Sequence, residues 1–141
     1  MELTKIAPDD VAICVNYVTD EYESITGVSS GARGLAIRFE RDIKNKEGIK
    51  VVEGNRIIGF CFHEDFEGKF FITSLYIEKS KRISKCMYLI FKYCIEKSGD
   101  REMLYIPLHK DMVLPKSLCR NGIIIKHKAR EWINSVKNRY E

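Results

Sequence analysis

The segment from Leu75 to Leu89 constrains the fold most, because its pattern predicts a strand that leads through a turn directly into a helix. Its first residues are apolar, and from Ile83 onward the apolar residues recur at intervals of three and four, the spacing of one helix face. We expect this helix to run from about 80 to 97 and to end at Ser98-Gly99. A strand followed by such a helix begins a β–α–β unit, so a parallel strand is expected further along the chain.

Four cations lie where this helix is predicted to begin, namely Lys79, Lys81, Arg82 and Lys85. A helix N-terminus already carries roughly half a positive charge and several unpaired N–H groups, so added cations are unfavourable there. The arrangement is typical of a turn that binds an anion, most simply a phosphate. The alternative is a solvated basic helix end that binds nothing.

The remaining segments predict further strands and helices. Gly54-Asn55 is a strong two-residue hairpin turn between two apolar runs, whereas Glu64–Lys69 predicts a polar loop. The last segment, 130–140, is compatible with helix or strand. The whole pattern predicts strands near 3–6, 49–53, 56–63, 70–77, 103–109 and 122–128, and helices near 8–23, 33–45, 80–97 and 114–120.

This order of elements predicts an α/β (α+β) fold. The strands 70–77 and 103–109 would lie parallel, joined by a right-handed crossover through the helix between them. The hairpin before them makes the central sheet mixed and mostly antiparallel, with the helices flanking it. A length of 141 residues suits one domain over 1–141.

Composition excludes several classes of protein. With 45% hydrophobic residues and a net charge of +4, the chain is neither a disordered tail nor a non-specific coat for nucleic acid. The five cysteines lack CxxC spacing and the three histidines are not clustered, so we expect buried free thiols and no metal site. We find no signal peptide or membrane span in the sequence and expect a soluble, cytoplasmic protein.

Three segments carry a family resemblance: the hairpin Val51–Phe60, the strand Leu75-Tyr76-Ile77 and the stretch Leu118–Ile123. Over roughly residues 1–125 the chain resembles the GNAT superfamily of acetyl-CoA-dependent N-acyltransferases. The three segments are similar to the family's second and third strands, to its fourth strand, and to a helix that runs into a Gly-Phe pair. The fourth strand of the family splays from the fifth and admits the pantetheine arm. The short, motif-poor chain also resembles divergent GNAT-like proteins of bacteriophages, which would place it in the host cytoplasm.

The resemblance implies a phosphate-binding loop that starts at Arg82. The family pattern has glycines at the positions of Lys85 and Met87, and often a proton-donating tyrosine at that of Leu118, so this chain departs from it there. The implied activity is transfer of an acetyl or related acyl group from a CoA thioester to a small-molecule or protein amine. The residues implied in binding acetyl-CoA are Leu75, Tyr76, Ile77, Lys79, Lys81, Arg82, Ile83, Ser84, Lys85, Cys86 and Met87.

Such a transferase needs a base that takes a proton from the amine and an acid for the departing thiolate. Glu78 and His109, at the ends of neighbouring predicted strands, are the candidate bases. Cys119 or Ser117 could replace the missing tyrosine as the acid. We also expect a depressed pKa for the thiol of Cys86, because it lies at a cationic helix start.

A second hypothesis is a catalytically inactive GNAT-like protein that binds a protein or a nucleic acid. The lost glycines and tyrosine favour it, and so does the basic C-terminal segment that carries Trp132 and Tyr140. Nucleic acid binding is nevertheless the less favoured interpretation, since such a tryptophan more often closes the core. The sequence is compatible with a monomer or a homodimer.

Overall fold

A computed structural model describes residues 1–27, 32–45, 47–81, 84–107, 114–115 and 117–141 of the chain. These residues form strands and helices, and two short 3-10 turns cover Pro8–Asp10 and Lys79–Lys81. The strands are β1 (Glu2–Lys5), β2 (Glu47–Glu53), β3 (Arg56–Phe66), β4 (Lys69–Ile77), β5 (Met103–Tyr105), β6 (Cys119–Arg120) and β7 (Ile123–Ile124). The helices are α1 (Val11–Thr26), α2 (Ala32–Asn45), α3 (Lys85–Ser98) and α4 (Lys126–Tyr140).

The strands form one mixed sheet. In the described residues it has seven strands in the order β1-β2-β3-β4-β5-β7-β6. Neighbours pair antiparallel except β4 and β5, which pair parallel from Phe70↔Met103 to Ile72↔Tyr105. The predicted fold class, with α3 as the crossover between two parallel strands, is therefore confirmed.

The hairpin between β2 and β3 also forms as predicted. Glu53 pairs with Arg56, which leaves Gly54 and Asn55 as the two turn residues. Gly54 has a φ of +63°, a backbone conformation that side chains with a Cβ rarely adopt. The Gly-Asn pair therefore fixes the register of the two strands.

Helices cover both faces of the sheet. On the first face, which we call the α1–α2 face, Phe39 of α2 packs against Phe60 and Phe62 of β3, beside Val15 and Val18 of α1. The second face, the α3–α4 face, carries the larger core. Its buried residues include Ile58, Cys61, Phe70, Ile72, Ile77, Cys86, Met87, Ile90, Phe91, Cys94 and Ala129.

A β-bulge interrupts β4. Phe62 of β3 pairs with Ser74 and His63 pairs with Ile72, so Thr73 is an extra residue in the ladder. Before the bulge, Phe70 and Ile72 contribute to the core of the α3–α4 face, and after it Leu75 and Ile77 do so. The bulge therefore reverses the in–out alternation of the strand, as one extra residue must.

Gly59 of β3 lets α3 lie close to the sheet. A Cβ built on this glycine would lie 2.7 Å from Sγ of Cys86, 3.1 Å from the carbonyl oxygen of Tyr76 and 3.3 Å from Cδ1 of Ile90. Cys86 belongs to the first turn of α3. Gly59 therefore sets the depth at which the N-terminus of α3 packs on the sheet.

The start of α3 differs from the sequence prediction. The helix begins at Lys85 rather than near 80, because Ser84 has extended backbone angles and caps it by accepting a hydrogen bond from the N–H of Cys86. The 3-10 turn Lys79–Lys81 precedes the cap. Lys79 and Lys81 therefore lie before the helix and not in its first turn, whereas Lys85 is its first residue.

The predicted loop at Glu64–Lys69 was also wrong. Strand β3 continues to Phe66 and pairs with Lys69, while Glu67 and Gly68 form the turn with φ values of 50° and 76°. The charged residues at the end of this hairpin are exposed. Exposed positions carry no hydrophobic alternation, so the pattern gave no sign of the strand.

The C-terminal third contains the largest differences. Within the predicted strand 103–109 the structure has the strand Met103–Tyr105, and residues 108–109 lie outside the described ranges. The predicted helix at 114–120 is wrong, because 117–118 form a turn and Cys119–Arg120 pairs with Ile123–Ile124 in a short hairpin. The predicted strand at 122–128 ends at Ile124. The segment 130–140, for which the sequence was compatible with helix or strand, is helical and belongs to α4.

None of the helices in the described ranges combines the length and apolar character that a membrane crossing requires.

Replacing Gly59 by alanine should lower the free energy of unfolding by about 1–3 kcal/mol, since the added methyl group overpacks the contact with Cys86. Cys86→Ala removes the nearest atom, so the double variant should be less destabilised than the sum of the two single variants. Urea denaturation of the four proteins measures this coupling as a double-mutant cycle. Strictly additive effects would show that this contact does not set the position of α3.

Candidate functional site

The edge of β4 opens where its pairing with β5 ends. The parallel pairing stops at Ile72 and Tyr105, whereas β4 continues to Ile77. In the part of the chain that the structure describes, no strand pairs with Thr73–Ile77 on this side. Backbone N–H and C=O groups of a strand edge need partners. The open edge at Leu75 and Tyr76 can therefore supply hydrogen bonds to an extended ligand.

The end of this open edge leads into the N-terminus of α3. The N–H of Cys86 donates to Oγ of Ser84 at 3.3 Å, and the Ser84 hydroxyl donates in turn to the carbonyl oxygen of Lys81. The hydroxyl of Ser84 is thus engaged in capping the helix. Other N–H groups of the first turn have no acceptor within the helix, and the helix dipole adds partial positive charge there.

The cations of the turn differ in their partners. Nζ of Lys81 lies 3.3 Å from a carboxylate oxygen of Glu53, so its charge is paired. Lys79 is exposed and Lys85 is half-buried, and within the described residues neither ammonium has a carboxylate within 4.0 Å. Arg82 and Ile83, which the sequence also predicted here, lie outside the described residues. Among the described residues of the turn, Lys79 and Lys85 are therefore the side chains that can neutralise an anion.

A cavity of about 470 Å³ lies beside the first turn of α3 on the α3–α4 face. Met87 lines it, although only 2% of this residue is exposed and its side chain packs in the core. Trp132 is half-buried, packs against the same core and forms another part of the wall. The remaining lining residues are Pro115, Ser117, Leu118, Lys128, Glu131 and Ser135.

Glu78 lies directly after β4, between the open edge and the turn. Nη1 of Arg56 donates to its Oε1 at 2.9 Å and lies 2.9 Å from Oε2. This contact raises the pKa of the Arg56 guanidinium. The hydroxyl of Ser80 is 3.4 Å from Oε1, and the N–H of Glu78 donates to the carbonyl oxygen of Ile58 at 2.8 Å. The carboxylate is thus held in one orientation at the end of the strand.

Tyr76 forms the wall of the site on the α1–α2 face. Its ring stacks on Tyr17 of α1, with the centroids 4.9 Å apart and the planes 7° from parallel. Burial, and to a smaller extent the charge of Glu78, raises the pKa of Tyr76 to about 12. Its phenol is therefore protonated at neutral pH.

The two candidate cysteines are buried. Cys86 is fully buried beneath Gly59, and burial raises the pKa of its thiol to about 12. The predicted depression of this pKa is wrong, because burial and the charges of Glu53 and Glu78 outweigh the opposing effect of Lys81. Burial also raises the pKa of Cys119, which is 3% exposed and lies on β6, beyond both β5 and β7 in the sheet.

The structure thus brings together most residues that the sequence singled out. The end of β4 and the turn after it carry Leu75, Tyr76, Ile77, Glu78, Lys79 and Lys81, and the start of α3 carries Ser84, Lys85, Cys86 and Met87. His109 lies outside the described residues, so its candidacy as a base stays a prediction. Leu118, at the position of the missing tyrosine, is buried and lines the cavity.

One residue at the site was missed by the sequence analysis. Nη2 of Arg38, on α2, donates to the carbonyl oxygen of Thr73 at 2.7 Å. The bulge removes this carbonyl from the regular ladder, and the hydroxyl of Thr73 donates to the carbonyl oxygen of Phe62 at 3.2 Å. A helical arginine 35 positions away in the sequence gives no signal of this contact.

Another polar cluster lies toward the other end of the sheet. Nε2 of the buried His63 is 2.9 Å from the hydroxyl of Tyr93, and the histidine ring stacks on Phe70. Burial lowers the pKa of His63 and raises that of Tyr93 to about 12. In the described ranges no three His, Cys, Asp or Glu side chains are grouped as a metal site requires.

Comparison with known proteins shows the fold. No protein-family model and no curated protein matches the sequence. The structure is similar to that of PaiA N-acetyltransferase from Thermoplasma acidophilum in complex with coenzyme A, with a TM-score of 0.59, 11% identity, and 87% of this chain and 94% of that chain covered.

Two further solved structures are similar to this chain. One is a predicted acetyltransferase with acetyl-CoA from Clostridium acetobutylicum, with a TM-score of 0.57, 16% identity, and 75% of this chain and 80% of that chain covered. The other is an acetyltransferase of the GNAT family from Bacillus cereus, with a TM-score of 0.52, 17% identity, and 74% of this chain and 68% of that chain covered.

The burial of Cys86 predicts a thiol that does not react in the native protein. At pH 8 iodoacetamide should label Cys86 no faster than Cys14, a matched control that is also fully buried and has a pKa raised to about 12. Both should react quickly in denaturant, as mass spectrometry of the peptides can measure. Rapid and selective labelling of native Cys86 would instead identify it as an activated thiol.

Proposed function

Because this chain has the fold of the GNAT acetyltransferases, we propose that it transfers an acetyl or related acyl group from a CoA thioester to an amine. The observation that carries this proposal is the parting of β4 from β5. It leaves an open strand edge that leads to a helix N-terminus with an adjoining apolar cavity and with two lysines that have no carboxylate partner among the described residues. Two of the similar structures contain acetyl-CoA or coenzyme A by name.

The residues at this end of the sheet fit such a cofactor. Lys79, Lys85 and the first N–H groups of α3 would hold its phosphates. The open edge at Leu75 and Tyr76 would bond its amide-containing arm, beside the wall that Met87 and Trp132 provide. When bound, the cofactor supplies an activated acyl carbonyl. The replacement of the family's glycine by Met87 suggests that a bulky side chain would obstruct the turn. The side chain of Met87 packs into the core instead, so it does not obstruct the turn.

The acceptor amine must lose its proton before or during attack on the carbonyl. Glu78 is the base that we propose, because its carboxylate stands at the end of the open edge and Arg56 fixes its orientation. N–H groups of the open edge of β4 would stabilise the oxyanion. His109 remains the other candidate base. For Cys119 to act as the acid, a proton would have to pass from β6 to the departing thiolate at the open edge of β4. The raised pKa of its thiol also makes it a weak proton donor.

Millimolar acetyl-CoA should raise the melting temperature of the protein, because ligand that binds only the native state stabilises it by mass action. The double variant Lys79→Glu, Lys85→Glu should lose most of this increase, since both cations that face the phosphates become anions. Lys5→Glu is the matched control. It reverses one exposed charge on β1, an edge strand that β2 and β3 separate from β4. This variant should retain the increase in melting temperature.

Absence of any increase in the wild-type protein would count against the transferase. Salt-sensitive retention of DNA or RNA would then favour the second hypothesis, a GNAT-like binding module that uses its basic surface. The basic residues of α4 that could form this surface are Lys126, Lys128, Arg130, Lys137 and Arg139.

Replacing Glu78 by glutamine should lower kcat by about 10²- to 10⁴-fold, the usual contribution of a general base, while leaving the acetyl-CoA-dependent increase in melting temperature intact. Release of free CoA thiol measures the rate. Glu53→Gln is the matched control, because Glu53 pairs with Lys81 in the same region and has no proposed catalytic role. An unchanged kcat in Glu78→Gln would reduce Glu78 to an ion-pair partner of Arg56.

A further inference from the structure

The contact of Arg38 with the bulge places a cation on the face of β4 opposite the proposed cofactor site. Arg38 lies beside Phe39, which packs on Phe60 and Phe62 in the core of the α1–α2 face. Its guanidinium reaches the carbonyl oxygen of Thr73 at 2.7 Å, where β4 parts from β5. The turn with Lys79 and Lys85 and the cavity beside Met87 belong to the α3–α4 face.

Among the described residues, most of the donor capacity of Arg38 has no acceptor. A guanidinium has five N–H donors in a planar fork, and the contact with Thr73 uses Nη2 alone. Within the described residues, no carboxylate lies within 4.0 Å of this half-buried group. The acceptor that the described residues provide is thus a neutral carbonyl oxygen and not an anion. Such a guanidinium favours an additional anionic partner, and a carboxylate matches the fork in two parallel hydrogen bonds.

This inference rests on the proposed function, because the transfer reaction assigns an occupant to each face of β4. The acyl donor takes the α3–α4 face and the open edge. The amine must approach the carbonyl from the other side, past the bulge at Thr73 and the wall of Tyr76 and Tyr17. A cation there meets the acceptor rather than the cofactor. It also disfavours the charged ammonium form of a nearby amine, which has to be neutral to attack.

We propose that Arg38 determines acceptor specificity, and that the acceptor is an amine that carries a carboxylate in the same molecule. The guanidinium keeps its bond to Thr73 through Nη2 and binds the carboxylate with its remaining N–H groups. The bond to Thr73 fixes the guanidinium relative to the open edge of β4. The amine of the acceptor is thereby positioned beside the acyl carbonyl.

The test compares L-amino acids with their α-carboxamides, which keep the amine and remove the negative charge. One readout is release of CoA thiol from acetyl-CoA. The other is the change in melting temperature that each compound produces in the apo protein and in the presence of CoA, which requires no turnover. The proteins are wild type, Arg38→Gln, Arg38→Lys and Arg41→Gln. Arg41 lies on the same helix and is exposed, so its variant is a matched control for charge.

We expect at least one amino acid to bind and react better than its carboxamide by about 10- to 100-fold in kcat/KM, the effect of a hydrogen-bonded charge. Arg38→Gln should abolish this preference, because it should lower kcat/KM for the amino acid by a larger factor than for its carboxamide. Arg38→Lys should restore part of it, because lysine keeps the charge but lacks the fork. Arg41→Gln should behave as wild type.

Equal loss for amino acids and carboxamides in Arg38→Gln would overturn the inference, since it would show that Arg38 only supports the bulge. Absence of any preference in the wild type, or of any response to either series, would overturn it as well. An increase in melting temperature with acetyl-CoA that persists in these cases would leave the proposed function standing. If acetyl-CoA has no effect but amino acids still stabilise the protein through Arg38, the carboxylate site stands and the transferase fails.

Discussion

One extra residue in β4 underlies the candidate site. Thr73 enters the ladder between β3 and β4 without a partner of its own, and the pairing of β4 with β5 ends at the preceding residue. A bulge bends a strand and increases its twist, which turns the following residues away from the neighbouring strand. The open edge, the free carbonyl bonded by Arg38 and the reversed alternation of side chains all begin at this position. A regular ladder would have closed the edge and removed the site.

The second requirement is that α3 starts at the correct depth and place. Gly59 lets Cys86 pack so close to β3 that any side chain at position 59 would collide with it. Ser84 ends the turn by capping the helix. Together they bring the N-terminus of α3 to the end of the open edge. The same packing buries the thiol of Cys86 and folds Met87 into the core. The replaced glycines thus have different consequences: Lys85 adds a charge at the turn, whereas Met87 contributes to a wall.

Several elements could be predicted because their signals are local. Gly54-Asn55 specifies a hairpin turn, and the apolar run 70–77 followed by a helical pattern specifies a strand and a crossover helix. The cap at Ser84 was overlooked because the cations before it were assigned to the helix, which placed the predicted helix start several residues too early. The short strands β6 and β7 were missed or misplaced because two residues hold no periodicity. Pairing of β7 with β5, and of β6 with β7, makes them strands rather than propensity.

The sequence by itself determined the order of the elements, the parallel unit and the collection of cations between β4 and α3, because each rests on neighbours in the chain. Only the tertiary structure decided which of these groups can act. It paired Lys81 with Glu53, left Lys79 and Lys85 without such partners among the described residues, fixed Glu78 against Arg56 and buried Cys86. It also brought Arg38 to Thr73. Burial and long-range contacts set charge, pKa and accessibility, and these depend on which distant residues the fold makes neighbours.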